Sequence, residues 1–275
     1  MCHQCVIDGV KADLTRRNFF RGAAIAAASG LMLPLTQPAQ AQDLAAISFS
    51  RVVDLTHTLT KDFPTYFGTA AFETEDMFSY AKNKLNLRIM KYAEHVGTHF
   101  DSPLHFSADG LSIDQLPVEN FVCPLAIVDV REAASGDVDY RLTPDDLAKF
   151  EAKHGEIPKG ACVAMLSGWQ DHLGTDKFRG QDAAGVLHFP GFHEEATDFL
   201  MRERVVNSIA VDTISLDYGA SKDSKVHYSW LPSGRYGIEC VANLADLPAI
   251  GATMVAGAPK FANATGGPGR VLALL

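Results

Sequence analysis

The strongest constraint on the fold is a series of eight short apolar runs that begins at residue 50. They read SRVVDLTHTL, KLNLRIMKY, CPLAIVDV, ACVAMLSG, SIAVDT, YGIECVA, ATMVAGA and RVLALL. Rich in Val, Ile and Leu and bounded by Gly, Pro or Asp, they predict β-strands. Several lack the alternation of a half-exposed strand, which predicts strands covered on both faces. The clearest helix starts at LTPDDLAKF, with Thr143 as N-cap, Pro144 at the first helical position and Leu142 placed to staple onto Leu147. A second helix is expected in GFHEEATDFLMRER, where Phe192, Ala196, Phe199 and Leu200 share a face. Helices fall irregularly between strands, so this is no repeated βαβ pattern, and no Pro- or Gly-rich linker divides the chain. One α/β domain follows.

The first forty residues do not belong to that domain. LTRRNFFRG places Arg16-Arg17 before the apolar run AAIAAASGLMLPL, and the small-residue pattern Ala39-Gln40-Ala41 follows. Residues 1–41 therefore read as a twin-arginine export signal that is cleaved, and residues 42–275 as the domain. The run is short of the roughly 20 residues that span a bilayer, so no membrane anchor is expected in the mature form. Export to a periplasm is the expectation.

The 275 residues carry a net charge of −9 and no Lys/Arg run, which speaks against a nucleic-acid surface. GxGxxG opening a helix, GxxxxGK[ST], GxSxG and HExxH are all absent from the sequence, removing the best supports for hydride transfer, phosphoryl transfer and serine hydrolysis. Of the five cysteines, Cys2 and Cys5 form a CHQC within the leader, with no second pair to complete a zinc site. Cys123, Cys162 and Cys240 sit in apolar, strand-like contexts and are expected to be buried small hydrophobes rather than disulfide partners.

One stretch remains, EHVGTHFDSPLHF, with His95, His99, Asp101 and His105 at odd positions. On an extended chain these four side chains leave the same face, whereas a helix would swing Asp101 away, and Gly97, Thr98 and Pro103 disfavour a helix. Gly97 would leave room for an ion and Thr98 would point the other way. Two imidazoles and a carboxylate suit zinc, manganese or iron. Asp101, with two oxygens, can bridge two ions. Pro103 turns the chain, so His105 need not be a fourth ligand.

HVGTHFDSPLH resembles the HxGTHxDxPxH signature of the cyclase family of metal-dependent hydrolases, whose members include kynurenine formamidases and isatin hydrolases. DLTHTL, DTISLD and YGIECVANLADLP are similar to further family segments, with Ile214 where proline is usual and Cys240 where Asn is common. The resemblance implies a swivelling β/β/α domain with a mixed sheet, often forming a homodimer. It implies that His95, His99 and Asp101 bind one metal and that His227 and Glu239 complete a second with Asp101. Zinc or manganese, one ion or two, is the implied cofactor. It further implies that His105 is the general acid/base and that metal-bound hydroxide attacks the C–N amide bond of a small aromatic substrate. That amide is either cyclic, as in isatin, or an aryl formamide, as in N-formylkynurenine. The alternative is a non-catalytic periplasmic metal- or ligand-binding protein on the same scaffold.

Phe63, Tyr66 and Phe67 in DFPTYFG either stack on a flat aryl substrate or pack the core, and Trp230 poses the same choice. His57 is expected to be a hydrogen-bonded structural residue. His193, beside Glu194 and Glu195, reads as a helix cap.

Overall fold

A computed structural model describes residues 48–275. The export segment expected at residues 1–41 lies outside them, as does the Cys2/Cys5 pair. Strands β1 (Val52–Asp54), β2 (Phe72–Phe78), β3 (Leu87–Tyr92), β4 (His99–Asp101) and β5 (Val122–Asp129) come first. Then follow β6 (Arg141–Leu142), β7 (Cys162–Leu166), β8 (Gly191–Phe192) and β9 (Ser208–Val211). Last come β10 (Tyr236–Glu239), β11 (Ala252–Gly257), β12 (Gly266–Pro268) and β13 (Arg270–Leu274). Nine of these form one mixed sheet in the order β1-β13-β11-β5-β7-β9-β10-β4-β12. The central strands β5, β7, β9 and β10 run parallel, and the flanking pairings are antiparallel.

The apolar runs predict strands buried on both faces, and the packing shows why. Along β5, Cys123, Leu125 and Ile127 enter one core while Ala126 and Val128 enter the other. On β7, Cys162, Ala164 and Leu166 face the first core, and Val163 and Met165 the second. Helices α1 (Pro144–His154), α2 (Glu194–Phe199) and α3 (Lys225–Trp230) cover the second face with Leu147, Phe150, Ala196, Val226 and Trp230. Cys123, Cys162 and Cys240 are buried free thiols. No helix among the described residues is long and apolar enough to cross a membrane.

Helix α1 begins where its cap chemistry requires. Thr143 and Asp146 form a capping box, Pro144 is the first helical residue, and Leu142 and Leu147 are both fully buried. The expected apolar face of the second helix needs one correction. Phe192 belongs to β8, which pairs with β6, because the His193 cap stops the helix from starting before Glu194.

Candidate metal centre

Strand β4 lies between β10 and β12, and the register with β10 sets Glu239 directly opposite His99. His99 and Asp101 share one face of this strand, as their spacing predicts. His95 and His105 reach the cluster differently. His95 sits in a bend, and His105 lies in the 3₁₀ turn Pro103–Phe106. The extended reading therefore holds for two of the four residues. The reason is Gly97, which adopts the left-handed conformation at φ +67° and bends the chain before β4. A Cβ on Gly97 would meet Leu59 Cδ1 at 3.0 Å, so this glycine serves the turn rather than making space for an ion. Thr98 secures the bend, donating from Oγ1 to the carbonyl of Cys240 at 2.5 Å and accepting the N–H of His57 at 3.0 Å.

Two triads result, His95–His99–Asp101 and Asp101–His227–Glu239, each with ligand atoms within 4.8 Å of one another. Four of the five residues are buried. His99 Nε2 lies 3.3 Å from both Asp101 Oδ1 and Glu239 Oε2. His227 Nε2 lies 3.2 Å from Glu239 Oε1 and 3.6 Å from Asp101 Oδ2. Ring orientation is set from behind. His99 Nδ1 donates to the carbonyl of Gly97 at 2.9 Å, and His227 Nδ1 donates to Asp217 Oδ2 at 2.6 Å, so each turns Nε2 inward.

Asp217 also accepts the N–H groups of Val226 and His227, at 2.9 and 3.2 Å. One carboxylate thus caps the first turn of α3 and orients its histidine. Sequence reasoning missed Asp217 as the residue that orients this candidate ligand; its only signal was its place in DTISLD.

The electrostatics of the cluster fit a cation. Burial works against charge on His99, yet the nearby carboxylates of Asp101 and Glu239 lift it to about 10. Burial opposes ionisation of Asp101 too, but the surrounding imidazoles hold its carboxyl well below the usual range. His99 Nε2 and Asp101 Oδ2 are buried without a hydrogen-bond partner. Such orphaned polar atoms are costly unless a further charged group satisfies them, and a divalent ion bound by nitrogen and carboxylate oxygen does so. The donor set therefore fits a divalent metal ion.

A cavity of about 440 Å³ opens above the triads, lined by His95, His99, His105, His227 and Glu239 on its metal side. Tyr66, Phe67, Val96, Phe106 and Ile214 give it apolar walls, and none of its lining residues is Lys or Arg. His105 stacks on His95, and Phe106 packs 4.6 Å from the His227 ring. Burial pushes the His105 imidazole down to about 4.

Tyr66 and Phe67 thus take the cavity option, but Phe63 and Trp230 do not. Phe63 packs with Trp169 and Phe178 in a satellite core. Trp230, the last residue of α3, is fully buried, its Nε1 donating to the carbonyl of Tyr236 at 2.9 Å. An indole with a buried hydrogen-bond partner is a core residue, which corrects its candidacy as a substrate contact. His57 uses its backbone rather than its ring; Nε2 is buried without a partner. His193 caps α2, accepting the N–H of Glu195 at 3.2 Å.

Comparison with known proteins gives this geometry a family. The model of the family described as putative cyclase matches residues 53–218. An isatin hydrolase of Roseibium aggregatum is 33% identical over 195 residues, covering 68% of this chain and 73% of its own. A kynurenine formamidase of Bacillus anthracis is 31% identical over 180 residues, covering 65% of this chain and 76% of its own. Among solved structures, isatin hydrolase A from Labrenzia aggregata, bound to benzyl benzoate, superposes with a TM-score of 0.77. It is 37% identical and covers 82% of this chain and 93% of its own. The chain belongs to the cyclase family.

Proposed function

We propose that the protein is a metal-dependent hydrolase that opens the C–N bond of a small aromatic amide, and that this amide is cyclic, of the isatin type. The observation that carries the substrate choice is the cavity lining: apolar and aromatic walls over two ligand triads, with no Lys or Arg. A flat, neutral, fused-ring amide suits such walls. N-formylkynurenine would bring a free carboxylate into the cavity, and neither Lys nor Arg lines it to pair with that charge. Similarity to two isatin hydrolases supports the same reading.

The two triads share Asp101, which supports two ions, zinc or manganese. A divalent cation bound here would supply Lewis-acid polarisation of the amide carbonyl and would lower the pKa of water, towards about 7 in favourable cases. His95, His99 and Asp101 would hold one ion, and Asp101, His227 and Glu239 a second. Asp217 and the Gly97 carbonyl keep two of the imidazoles aimed inward. His105 lines the cavity beside these ligands, where a ring nitrogen takes the proton of the attacking water and returns it to the leaving nitrogen. Tyr66 and Phe67 flank the aryl ring. A histidine in this place has no use in a protein that only stores metal, so the catalytic reading is preferred over a binding protein.

The Arg16-Arg17 segment supports action in a periplasm after export. The paired strands β2 and β3 expose the apolar side chains Met77, Ile89 and Met90, which supports a homodimer.

The test is to measure kcat/KM for isatin and for N-formylkynurenine with metal-replete protein, following ultraviolet absorbance. Preference for isatin is expected. Preference for the formamide would overturn the substrate choice while keeping the reaction class, and no turnover of either would overturn both.

A further inference from the structure

Among the three histidines of the triads, His95 is held in a different way from the other two. Its Nε2 lies 2.9 Å from Thr265 Oγ1. The Thr265 hydroxyl donates to one oxygen of the Glu94 carboxylate, and the Thr265 backbone N–H donates to the other at 3.2 Å. A hydroxyl has a single proton and a carboxylate only accepts. With that proton given to Glu94, Thr265 Oγ1 must act as acceptor towards the ring, so Nε2 of His95 carries the hydrogen. Nδ1 then keeps its lone pair, and Nδ1 is the atom 2.7 Å from Asp101 Oδ1. Two such acceptors approach this closely only with a proton or a metal cation between them.

His95 therefore presents the opposite nitrogen from His99 and His227. The backbone is shaped for this contact. Gly266 follows Thr265, and a Cβ there would lie 2.9 Å from His95 Cε1 as well as colliding with the carbonyl of Phe100. The Thr265 carbonyl in turn accepts the N–H and the hydroxyl of Ser102, both at 2.9 Å, tying it to the residue after Asp101.

We propose that Thr265 and Glu94 are positioning residues for His95. The Glu94–Thr265 pair selects the ring tautomer and aims Nδ1 at the triad. The inference rests on the metal reading above and deepens it. It assigns a role to the glutamate that precedes the HVGTH stretch, and to a threonine about 170 residues away.

The experiment measures metal affinity of the full-length protein. The chain is stripped with a chelator and titrated with Mn²⁺ or Zn²⁺ in competition with a fluorescent chelator. Variants are Thr265→Val, Thr265→Ser, Glu94→Ala and, as control, His99→Ala. Thr265→Val and Glu94→Ala are expected to weaken metal binding ~10–100-fold, while Thr265→Ser, which keeps the hydroxyl, stays close to wild type. Melting temperatures of the stripped proteins should coincide, since the role concerns the bound ion. Wild-type affinity in Thr265→Val would overturn the inference. So would a Thr265→Ser as weak as Thr265→Val, or a stripped Thr265→Val that melts well below wild type. If wild type binds no more tightly than His99→Ala, the metal reading itself fails.

Discussion

His105 stacks on His95 with ring centroids 3.8 Å apart and planes 23° from parallel. A residue from the 3₁₀ turn Pro103–Phe106 is thereby locked against a residue of the first triad while still lining the cavity. His105→Ala is expected to keep its metal and to lose ~10²–10⁴-fold in kcat, the usual worth of a positioned acid/base. Metal analysis alongside steady-state kinetics checks this. Loss of metal in the variant would instead make His105 a ligand.

Asp101 is common to both triads, so the two ligand sets should respond differently to substitution. Asp101→Asn is expected to weaken both sites and to abolish turnover. His227→Ala removes a ligand from one set only and is expected to lower the bound metal without emptying the other. Plasma mass spectrometry of the dialysed variants reads the difference.

Helix α1 offers a test of the cap that the sequence predicts. Thr143 accepts the N–H of Asp146, and Asp146 accepts the N–H of Thr143 at 2.9 Å in return. Thr143→Ala should cost about 1 kcal/mol and lower the melting temperature accordingly, with no effect on metal affinity. Unchanged melting would show that packing of Leu147 and Phe150 alone holds the helix.

His188 gives a pH dependence outside the two triads. Its Nδ1 lies 2.7 Å from Asp139 Oδ2, and this contact raises the pKa above the ordinary imidazole value. A histidine whose folded pKa is raised stabilises the fold below its unfolded pKa, and that contribution is lost as pH rises through the folded value. His188→Gln should therefore destabilise the protein at pH 5.5 and leave it nearly unchanged at pH 9. The effect is small, under about 1 kcal/mol, because the pair is partly exposed. Equal melting losses at both pH values would contradict the protonated pair.

Much of this architecture is legible in local pattern. The eight apolar runs each contain a strand, and those in the middle of the sheet, covered on both faces, need no tertiary information to stand out. KLNLRIMKY, by contrast, forms β3, exposed along its whole length in a two-stranded ribbon. Thr143 and Pro144 announce their helix because cap chemistry is local. The resemblance of HVGTHFDSPLH implies the candidate ligand residues, but the way they meet is tertiary. The conformation at Gly97 decides where His95 points, and the β4–β10 register decides that Glu239 faces His99. Phe63 and Trp230 were ambiguous because an aromatic side chain near a motif looks alike in a wall and in a core. Thr265 carried no signal at all, since its link to His95 exists only across the pairing of β12 with β4.

The most direct test of the account is to restore metal to chelator-stripped protein in steps while following isatin hydrolysis by absorbance. The account predicts no turnover in the stripped protein, activity that rises with bound Mn²⁺ or Zn²⁺ and saturates, and no recovery in Asp101→Asn. Stripped protein that hydrolyses isatin at the untreated rate would contradict it.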